Sequence, residues 1–406
     1  MSQNKKPGTR QRSLRPSATR TPPRVALIVE TSTTFGRRLL SGIAQYIREN
    51  GPWSVFFTDR AVNDSAPRWI ATWKGDGIIS RIASPEIRSF LANGHIPVVD
   101  LNEQLADLGA PQISNDHFAI GRMAAQHLID RGFEVFGFLG HRGHPWSDQR
   151  QSAFEELVNK SKGRCYVYSG RDANVSDLRE GLWETEIDLI ADWVRGLPKP
   201  VGLMACNDFR ALQLLSACQL ANVAVPEQAA VIGVGADDVA CELADPSLSS
   251  VTLNAWRMGY EAATLLDKMM KGHPAPRREL RIPPLDVSVR RSTDTMAISD
   301  PVVASAARFI RDHACNGINV ETVLRHLGVS RTWLQMRFRG TIHKSVHDVL
   351  IEARMERVQE LLAETTLSLD QVAERCGFRY PEYMSSILKQ RTGWSPARFR
   401  REFGKK

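Results

Sequence analysis

The chain predicts a two-lobed α/β body of parallel, doubly wound sheets, followed by an all-α domain of tandem helix-turn-helix units. Three observations carry this reading. Over residues 25–290, short apolar runs alternate with helical stretches, as strands of a sheet covered on both faces require. The alternation comes in two series, hence two lobes. Beyond residue 300 the strand signal stops, and one helix-turn-helix pattern occurs twice.

A chain of 406 residues has ample material for more than one core, and its 42% apolar and 24% charged shares are those of a globular protein. Its net charge of +8 is unevenly placed. Residues 1–24 carry seven Lys or Arg and no acid, residues 301–406 carry 18 bases against 11 acids, and the middle is left at −6. Two basic ends on an acidic body point to a polyanionic partner. None of the six cysteines forms a CxxC pair, so neither a disulfide framework nor a zinc site is indicated. No apolar run reaches the roughly 18 residues of a membrane helix, and VALIV (25–29) reads as a strand rather than a leader core. The expected location is the cytoplasm, at the nucleoid.

In order along the chain, residues 1–24 are rich in Ser, Thr, Pro and Arg and are expected to form a disordered basic arm. The first series places strands at RVALIVE (24–30), WSVFFTD (53–59), DGIIS (76–80) and IPVVDL (96–101), with helices over 36–50, 66–74, 84–93 and 117–131. The second places strands at VFGFLG (135–140), CYVYSG (165–170), VGLMACND (201–208) and AVIGVG (230–235), with helices near 149–161, 182–196 and 209–220. A helix over 255–271 and the strand-like ELRIPP (279–284) follow. The expected division is an effector domain over 25–290, with lobe one at 25–132 plus 251–272 and lobe two at 133–250 plus 275–290. A linker over 291–300 and a helical domain over 301–406 complete it. Helix starts are marked by Asn319, Ser330, Ser368 and Ser395; Ser368-x-x-Gln371 is a capping-box pattern, and Pro396 suits a first helical position.

Within the helical domain TVLRHLGVSRTWLQMRFR (322–339) has a twin in QVAERCGFRYPEYMSSILK (371–389). Val323, Leu324, Leu327 and Gly328 match Val372, Ala373, Cys376 and Gly377; after the turn, Leu334, Phe338 and Arg339 match Met384, Leu388 and Lys389. At 100° per residue, Thr332, Gln335, Met336 and Arg339 lie opposite the Leu334/Phe338 face, with Glu382, Ser385, Ser386 and Lys389 as their counterparts. Such side chains read base edges in the major groove. Arg331, Arg337, Arg379 and Arg391 flank them and suit phosphates. The alternative for either unit alone is a solvated helix face.

On these residues, together with Arg354, Leu361-Leu362, Phe378, Tyr383, Gly393, Pro396 and Arg400, residues 301–406 resemble the AraC-family DNA-binding domain. Met384 and Leu388 stand where that family usually has Phe, and Ser386 where it often has Arg. The resemblance implies that each chain lays two recognition helices on successive major-groove segments.

At the carboxyl ends of the body's strands, where α/β sheets bind ligands, stand Glu30-Thr31-Ser32-Thr33, Asn207-Asp208 and Asp237-Asp238, with Asn115-Asp116 before a helix and Trp146 and Arg150 in GHPWSDQR. Carboxylates, amides and an arginine suit sugar hydroxyls, and an aromatic ring suits an apolar sugar face. Composition does not separate this from any polar strand-end loop. The stretches FGRRLLSGIAQYI (35–47), ISNDHFAIGRMAAQHLIDRGF (113–133), VIGVGADDVACELADPSLSSV (231–251) and RMGYEAATLLDKMM (257–270) resemble the periplasmic-binding-protein-like effector domain of lactose-repressor-type regulators. That domain followed by an AraC-type end is similar to the XylR-type family of xylose-responsive regulators. The resemblance implies sugar contacts at Arg150 and Asp208, with Asp116 and Trp146 beside them and Thr33, Phe35 and Arg37 near the first strand. Gly235-Ala236 departs from the acidic and amide pair expected there, so either Asp237 or Asp238 substitutes or the sugar differs from xylose.

The enzyme reading finds no GxxxxGK[ST], GxSxG or HExxH, and His141 and His144 in HRGH are weighed as polar surface against a metal site. A sugar-binding transport protein is weighed against by the tandem C-terminal unit. The expectation is a non-enzymatic transcription regulator without cofactor or metal. Its expected partners are double-stranded DNA, a monosaccharide effector with D-xylose foremost, RNA polymerase and a second copy of the chain, with no membrane partner.

Overall fold

A computed structural model of the chain describes residues 21–61, 64, 67–81, 96–103, 110–141, 143–168, 182–274, 276, 279–294, 298 and 300–403. The strands are β1 (Arg24–Ile28), β2 (Ser54–Phe57), β3 (Gly77–Ser80), β4 (Val98–Asp100), β5 (Ile113–Asn115), β6 (Val135–Leu139), β7 (Arg164–Val167), β8 (Val201–Ala205), β9 (Ala229–Val234), β10 (Ser249–Val251), β11 (Leu280–Ile282) and β12 (Val287–Ser288). In the body, helices are α1 (Thr34–Asn50), α2 (His117–Ile129), α3 (Pro145–Lys160), α4 (Leu182–Gly196), α5 (Asp208–Leu220), α6 (Asp238–Leu243) and α7 (Ala255–Met270). Seven more follow: α8 (Pro301–His313), α9 (Val320–Leu327), α10 (Arg331–Ile342), α11 (Val346–Glu364), α12 (Leu369–Arg375), α13 (Pro381–Thr392) and α14 (Pro396–Phe403). Among the described residues no helix is long and apolar enough to cross a membrane.

The chain forms two compact units, residues 1–114 with 255–280 and residues 115–254 with 281–406. In the first, a parallel sheet runs in the order β2-β1-β3-β4, with Val25 beside both Val55 and Gly77. β1 is central, and its Val25, Ala26, Leu27 and Ile28 are buried, because both faces are covered. α1 and α7 pack together, and Tyr46 of α1 donates to Asp267 of α7 at 2.8 Å. The 66–74 stretch forms only a short 3₁₀ turn, Arg68–Thr72, and the helix expected over 84–93 and most of the basic arm lie outside the described residues.

In the second unit a six-stranded sheet runs β12-β10-β9-β8-β6-β7, parallel except for β12 against β10. Phe136, Phe138 and Phe154 fill its core below α3, with rings 6.0 to 6.2 Å apart. Two expectations change here. The sequence places residues 117–131 in the first lobe; α2 instead packs against α3 in this unit, burying Ile120, Ala124 and Leu128. The polar stretch read as a linker starts inside the core. Ser292 and Thr293 are fully buried, Ser292 Oγ donates to the Val231 carbonyl at 2.6 Å, and Thr293 Oγ1 donates to Ser249 at 2.7 Å. Hydroxyls that satisfy one another can be buried at little cost, which a reading by composition misses. α3 also begins four residues earlier than expected, with Pro145 at a position where a missing N–H costs nothing.

Helices α9, α10 and α12 are capped by the residues the sequence predicts, whereas α13 begins at Pro381 without a side-chain cap. Asn319, Ser330 and Ser368 accept from Thr322, Trp333 and Gln371, and Ser345 adds a further cap on α11. α8 meets the sheet domain through an ion pair between Arg311 and the buried Glu227.

Candidate functional site

Two small cores hold the tandem units. The first gathers Val303, Ala306 and Ile310 of α8, Val323 of α9, Leu334 and Phe338 of α10, and Val346 and Leu350 of α11. The second gathers Ile351, Met355, Val358, Leu361 and Leu362 of α11, Val372 and Ala373 of α12, Met384 and Leu388 of α13, and Phe399 of α14. α11 therefore belongs to both, its first turns to one core and its later turns to the other. Arg354 on α11 strengthens the tie, donating to the Ala314 and Ile318 carbonyls at 2.9 and 2.6 Å and lying over the Phe378 ring at 5.5 Å. One rigid helix thus fixes where α10 and α13 stand with respect to each other.

Each of these helices buries two of the twin positions and turns the opposite face outward. Leu334 and Phe338 are fully buried on α10, as are Met384 and Leu388 on α13. Thr332, Met336 and Arg339 are exposed and Gln335 is half-exposed; on α13 Glu382, Ser386 and Lys389 are exposed and Ser385 half-exposed. Gly328 and Gly377 close α9 and α12 in the left-handed conformation at φ 66° and 72°. At Gly377 the chain also passes so close to the Ala314 carbonyl that a Cβ would stand 2.8 Å from its oxygen.

The flanking arginines differ in their surroundings. Arg331 pairs with exposed Glu321, and Arg391 lies 3.6 Å from Glu352. Pairs of this kind are worth about 0–1 kcal/mol, so a phosphate can displace them. Arg379 is exposed and lies over the Tyr380 ring at 5.4 Å. Arg337 is held more firmly, between the Trp333 ring and Asp300, whose carboxylate also caps α8 through the Val302 and Val303 N–H groups. Burial pushes the Asp300 carboxyl up, but Arg337 and these N–H groups outweigh it and hold it below the usual range.

In the second unit of the chain, Arg150, Trp146 and Asp208 stand near the carboxyl ends of β6, β8 and β9. Arg150 on α3 is 4% exposed; it donates to the Cys206 carbonyl at 2.5 Å and to His117 Nδ1 at 3.2 Å, and lies 5.0 Å from the Trp146 ring. Trp146 forms an aromatic group with His141 and His144 at centroid distances of 5.7 to 5.9 Å. Burial, then the charge of Arg210, lowers His141 to about 4, so this ring is neutral at neutral pH. Asp208 is 2% exposed and accepts from Ser250 Oγ at 2.6 Å and from the Asp237 N–H at 2.8 Å. Burial raises its pKa.

At the end of β9, Gly233 and Gly235 face the Asp208 carboxylate. A Cβ at Gly233 would stand 2.5 Å from Asp208 Oδ1, and one at Gly235 2.9 Å from Asp208 Oδ2. Asp208 occupies the space a side chain at 235 would need. Asp237 does not point there; it caps α6 by accepting from Ala240 at 3.0 Å, and Asp238 is exposed on the first turn of α6. Asp116 likewise caps α2 through Ala119 at 2.8 Å.

In the first unit, Thr33 caps α1 and donates to Glu30 at 3.1 Å. Arg37 is bound to the Thr31 carbonyl at 2.7 Å and to Thr34 Oγ1 at 3.2 Å. Glu30 is buried against Arg81, whose guanidinium lies 4.5 Å from the Phe35 ring. Sequence reasoning passed over Arg81 and Asp100, both at strand ends in this unit. Asp100 is 2% exposed, and burial, opposed by the Asn102 N–H, raises it to about 7. The signal was present in VVD, an acidic residue directly following apolar strand residues. The buried pair Arg210–Glu186 was missed too, because its members lie on separate helices.

Comparison with known proteins adds three matches to family models. Residues 24–110 match a XylR N-terminal domain, 125–293 a periplasmic binding protein-like domain and 323–402 a helix-turn-helix domain. The xylose operon regulatory protein of Escherichia coli K12 is 32% identical over 387 residues, covering 93% of this chain and 96% of that protein. Its namesake in Haemophilus influenzae is 32% identical over 385 residues, covering 93% and 98%. Among solved structures, that of the xylose-binding transcription activator xylR aligns with a TM-score of 0.81 at 29% identity, over 95% of this chain and 99% of the other.

Proposed function

Given that this chain belongs to the family of xylose operon regulatory proteins, DNA-binding transcription regulators that respond to a sugar, we propose that it is an activator switched by a pentose, D-xylose foremost. The observation that supports this best is the pair of recognition helices carried on α11 over two separate cores, each presenting a polar outer face. In this reading α10 and α13 enter successive major-groove segments. Gln335, Thr332, Ser385 and Ser386 meet base edges, Glu382 accepts from cytosine, and Met336 lies against a thymine methyl. Arg331, Arg339, Arg379 and Lys389 meet phosphates. Arg337 contributes mainly by holding α8 against α10 through Asp300. The chain works as a homodimer and engages RNA polymerase from the DNA, in the cytoplasm.

Arg150, Asp208 and Trp146 supply the guanidinium, carboxylate and ring for the sugar. Because Asp237 is committed to its helix cap, Asp208 is the carboxylate of the second unit in this reading. Sugar binding biases the effector domain toward one arrangement, and coupling to DNA requires only that the sugar prefer that arrangement.

Thermal unfolding against a panel of pentoses and hexoses tests the effector. A sugar at a hundred times its Kd adds about 2.7 kcal/mol to what it binds. Stabilisation by D-xylose supports the reading, stabilisation by another sugar alone replaces xylose with that sugar, and no shift with any sugar removes the effector assignment. For the DNA face, Gln335→Ala is expected to cost about 1–3 kcal/mol and relax preference at one base pair. Equal weakening on all duplexes would make Gln335 a backbone contact. Arg339→Ala is expected to lower the salt slope of binding by about one, with sequence preference intact.

A further inference from the structure

Two sulfurs outside both sites lie together. Cys315 is in the 3₁₀ turn Ala314–Asn316 that follows α8, and Cys376 ends α12. Their thiols are hydrogen-bonded to each other. The backbones around them are in contact as well, since a Cβ at Gly377 would stand 3.0 Å from the Cys315 carbonyl oxygen. Arg354 anchors the turn from α11 by its bonds to Ala314 and Ile318. Cys376 is fully buried in the second core, whereas Cys315 is half-buried and lines a cavity of about 570 Å³ with Gly317, Asp370, Gly377, Phe378 and Arg379.

The two sulfurs differ in character. The hydrogen bond from Cys376 lowers Cys315 below the ordinary thiol range against the opposing effect of burial; the charges of Arg357 and Arg354 lower it further and that of Glu360 opposes them. The same bond, with burial, raises Cys376. Burial pushes Cys165, Cys218 and Cys241 up to about 12 and also raises Cys206. A thiolate is the reactive form, so Cys315 is the nucleophile and Cys376 the resolving thiol.

We propose that Cys315 and Cys376 form a reversible dithiol/disulfide couple, oxidised by hydroperoxides admitted through that cavity, which staples the second helix-turn-helix unit to the turn after α8. The Cys315 thiolate attacks one peroxide oxygen; an S–O bond forms, the O–O bond breaks, and the departing hydroxide or alkoxide takes a proton from solvent. The Cys376 sulfur then attacks the Cys315 sulfur of the sulfenic acid. The S–S bond forms, the S–O bond breaks, and the sulfenic hydroxyl leaves as water with the proton of the Cys376 thiol. Two thiols lose two electrons, and the peroxide gains them. Closing the bond brings the sulfurs to about 2.05 Å, nearer than a hydrogen bond allows, and draws α12 toward the turn. A weaker grip on DNA by α13 follows, and this last step rests on the DNA-binding reading above.

The test titrates the full chain with hydrogen peroxide, blocks remaining thiols with an alkylating agent and maps the peptides. The expected product is a Cys315–Cys376 linked peptide pair that dithiothreitol reverses, while Cys165, Cys206, Cys218 and Cys241 stay thiols. Its rate of formation is expected to rise with pH as the Cys315 thiol ionises, over a lower pH range than for an ordinary thiol. Cys315→Ser should leave Cys376 reduced at the same dose. Linkage to a different cysteine, earlier oxidation of Cys165, or a wild-type Cys315 that over-oxidises without linking overturns the couple. On the same samples, oxidised wild type should bind its duplex at least threefold more weakly than reduced, and Cys315→Ser should not respond. Equal affinity of the two wild-type forms overturns the regulatory step. A reduced protein that binds no duplex at all overturns the DNA-binding reading instead, and the peptide map still decides the couple.

Discussion

Phe338→Ala is expected to cost about 3–5 kcal/mol and to abolish DNA binding, the largest loss from any single truncation in the first helix-turn-helix unit. Phe338 is fully buried where α10 meets α8 and α11, among Val303, Ile310, Leu334, Val346 and Leu350. Removing the ring leaves a cavity that the surrounding helices can close only in part. The core is small, so the loss is a large share of its stability. Denaturant unfolding followed by circular dichroism measures it, and a cost below about 1 kcal/mol would show that the core repacks around the gap. Gln335→Ala provides the contrast, because its half-exposed side chain serves recognition and its loss should leave the unfolding midpoint in place.

Glu186→Ala is expected to destabilise the second unit of the chain by about 3–5 kcal/mol, since it strands a buried guanidinium. Arg210 and Glu186 are 5% and 8% exposed and pair through two contacts, at 2.7 and 3.0 Å. Arg210 donates as well to Gln213 and to the Gly140 carbonyl, so the pair ties α5 and α4 to the end of β6. Because burying two charges costs nearly as much as their attraction returns, the double variant Glu186→Leu/Arg210→Met should recover most of the loss. Thermal unfolding of wild type, Glu186→Leu, Arg210→Met and the double variant gives the coupling directly. A Glu186→Ala protein within about 1 kcal/mol of wild type would mean that water or a moving side chain reaches Arg210, and that the pair is peripheral to the fold.

What could be read along the chain was what neighbours in sequence decide. The twin units, their caps at Asn319, Ser330 and Ser368, and the alternation of strands with helices all depend on residues within a few positions of one another. The two buried positions on each recognition helix follow from a 3.6-residue period, and Leu334, Phe338, Met384 and Leu388 are fully buried. The exposed faces opposite them follow from the same period.

What stayed hidden depended on partners distant in the chain. Gly235-Ala236 reads as the loss of a ligand group, yet folding brings Asp208 into that space and takes Asp237 into a helix cap. Ser292 and Thr293 read as linker, yet Ser292 donates to the Val231 carbonyl and Thr293 to the Ser249 hydroxyl. α2 reads as part of the first lobe, yet its apolar face finds α3. Periodicity and capping name the elements because their energetics are local; the pairing of a buried carboxylate, hydroxyl or thiol is chosen by whichever distant group reaches it first in three dimensions, and no spacing along the chain encodes that choice.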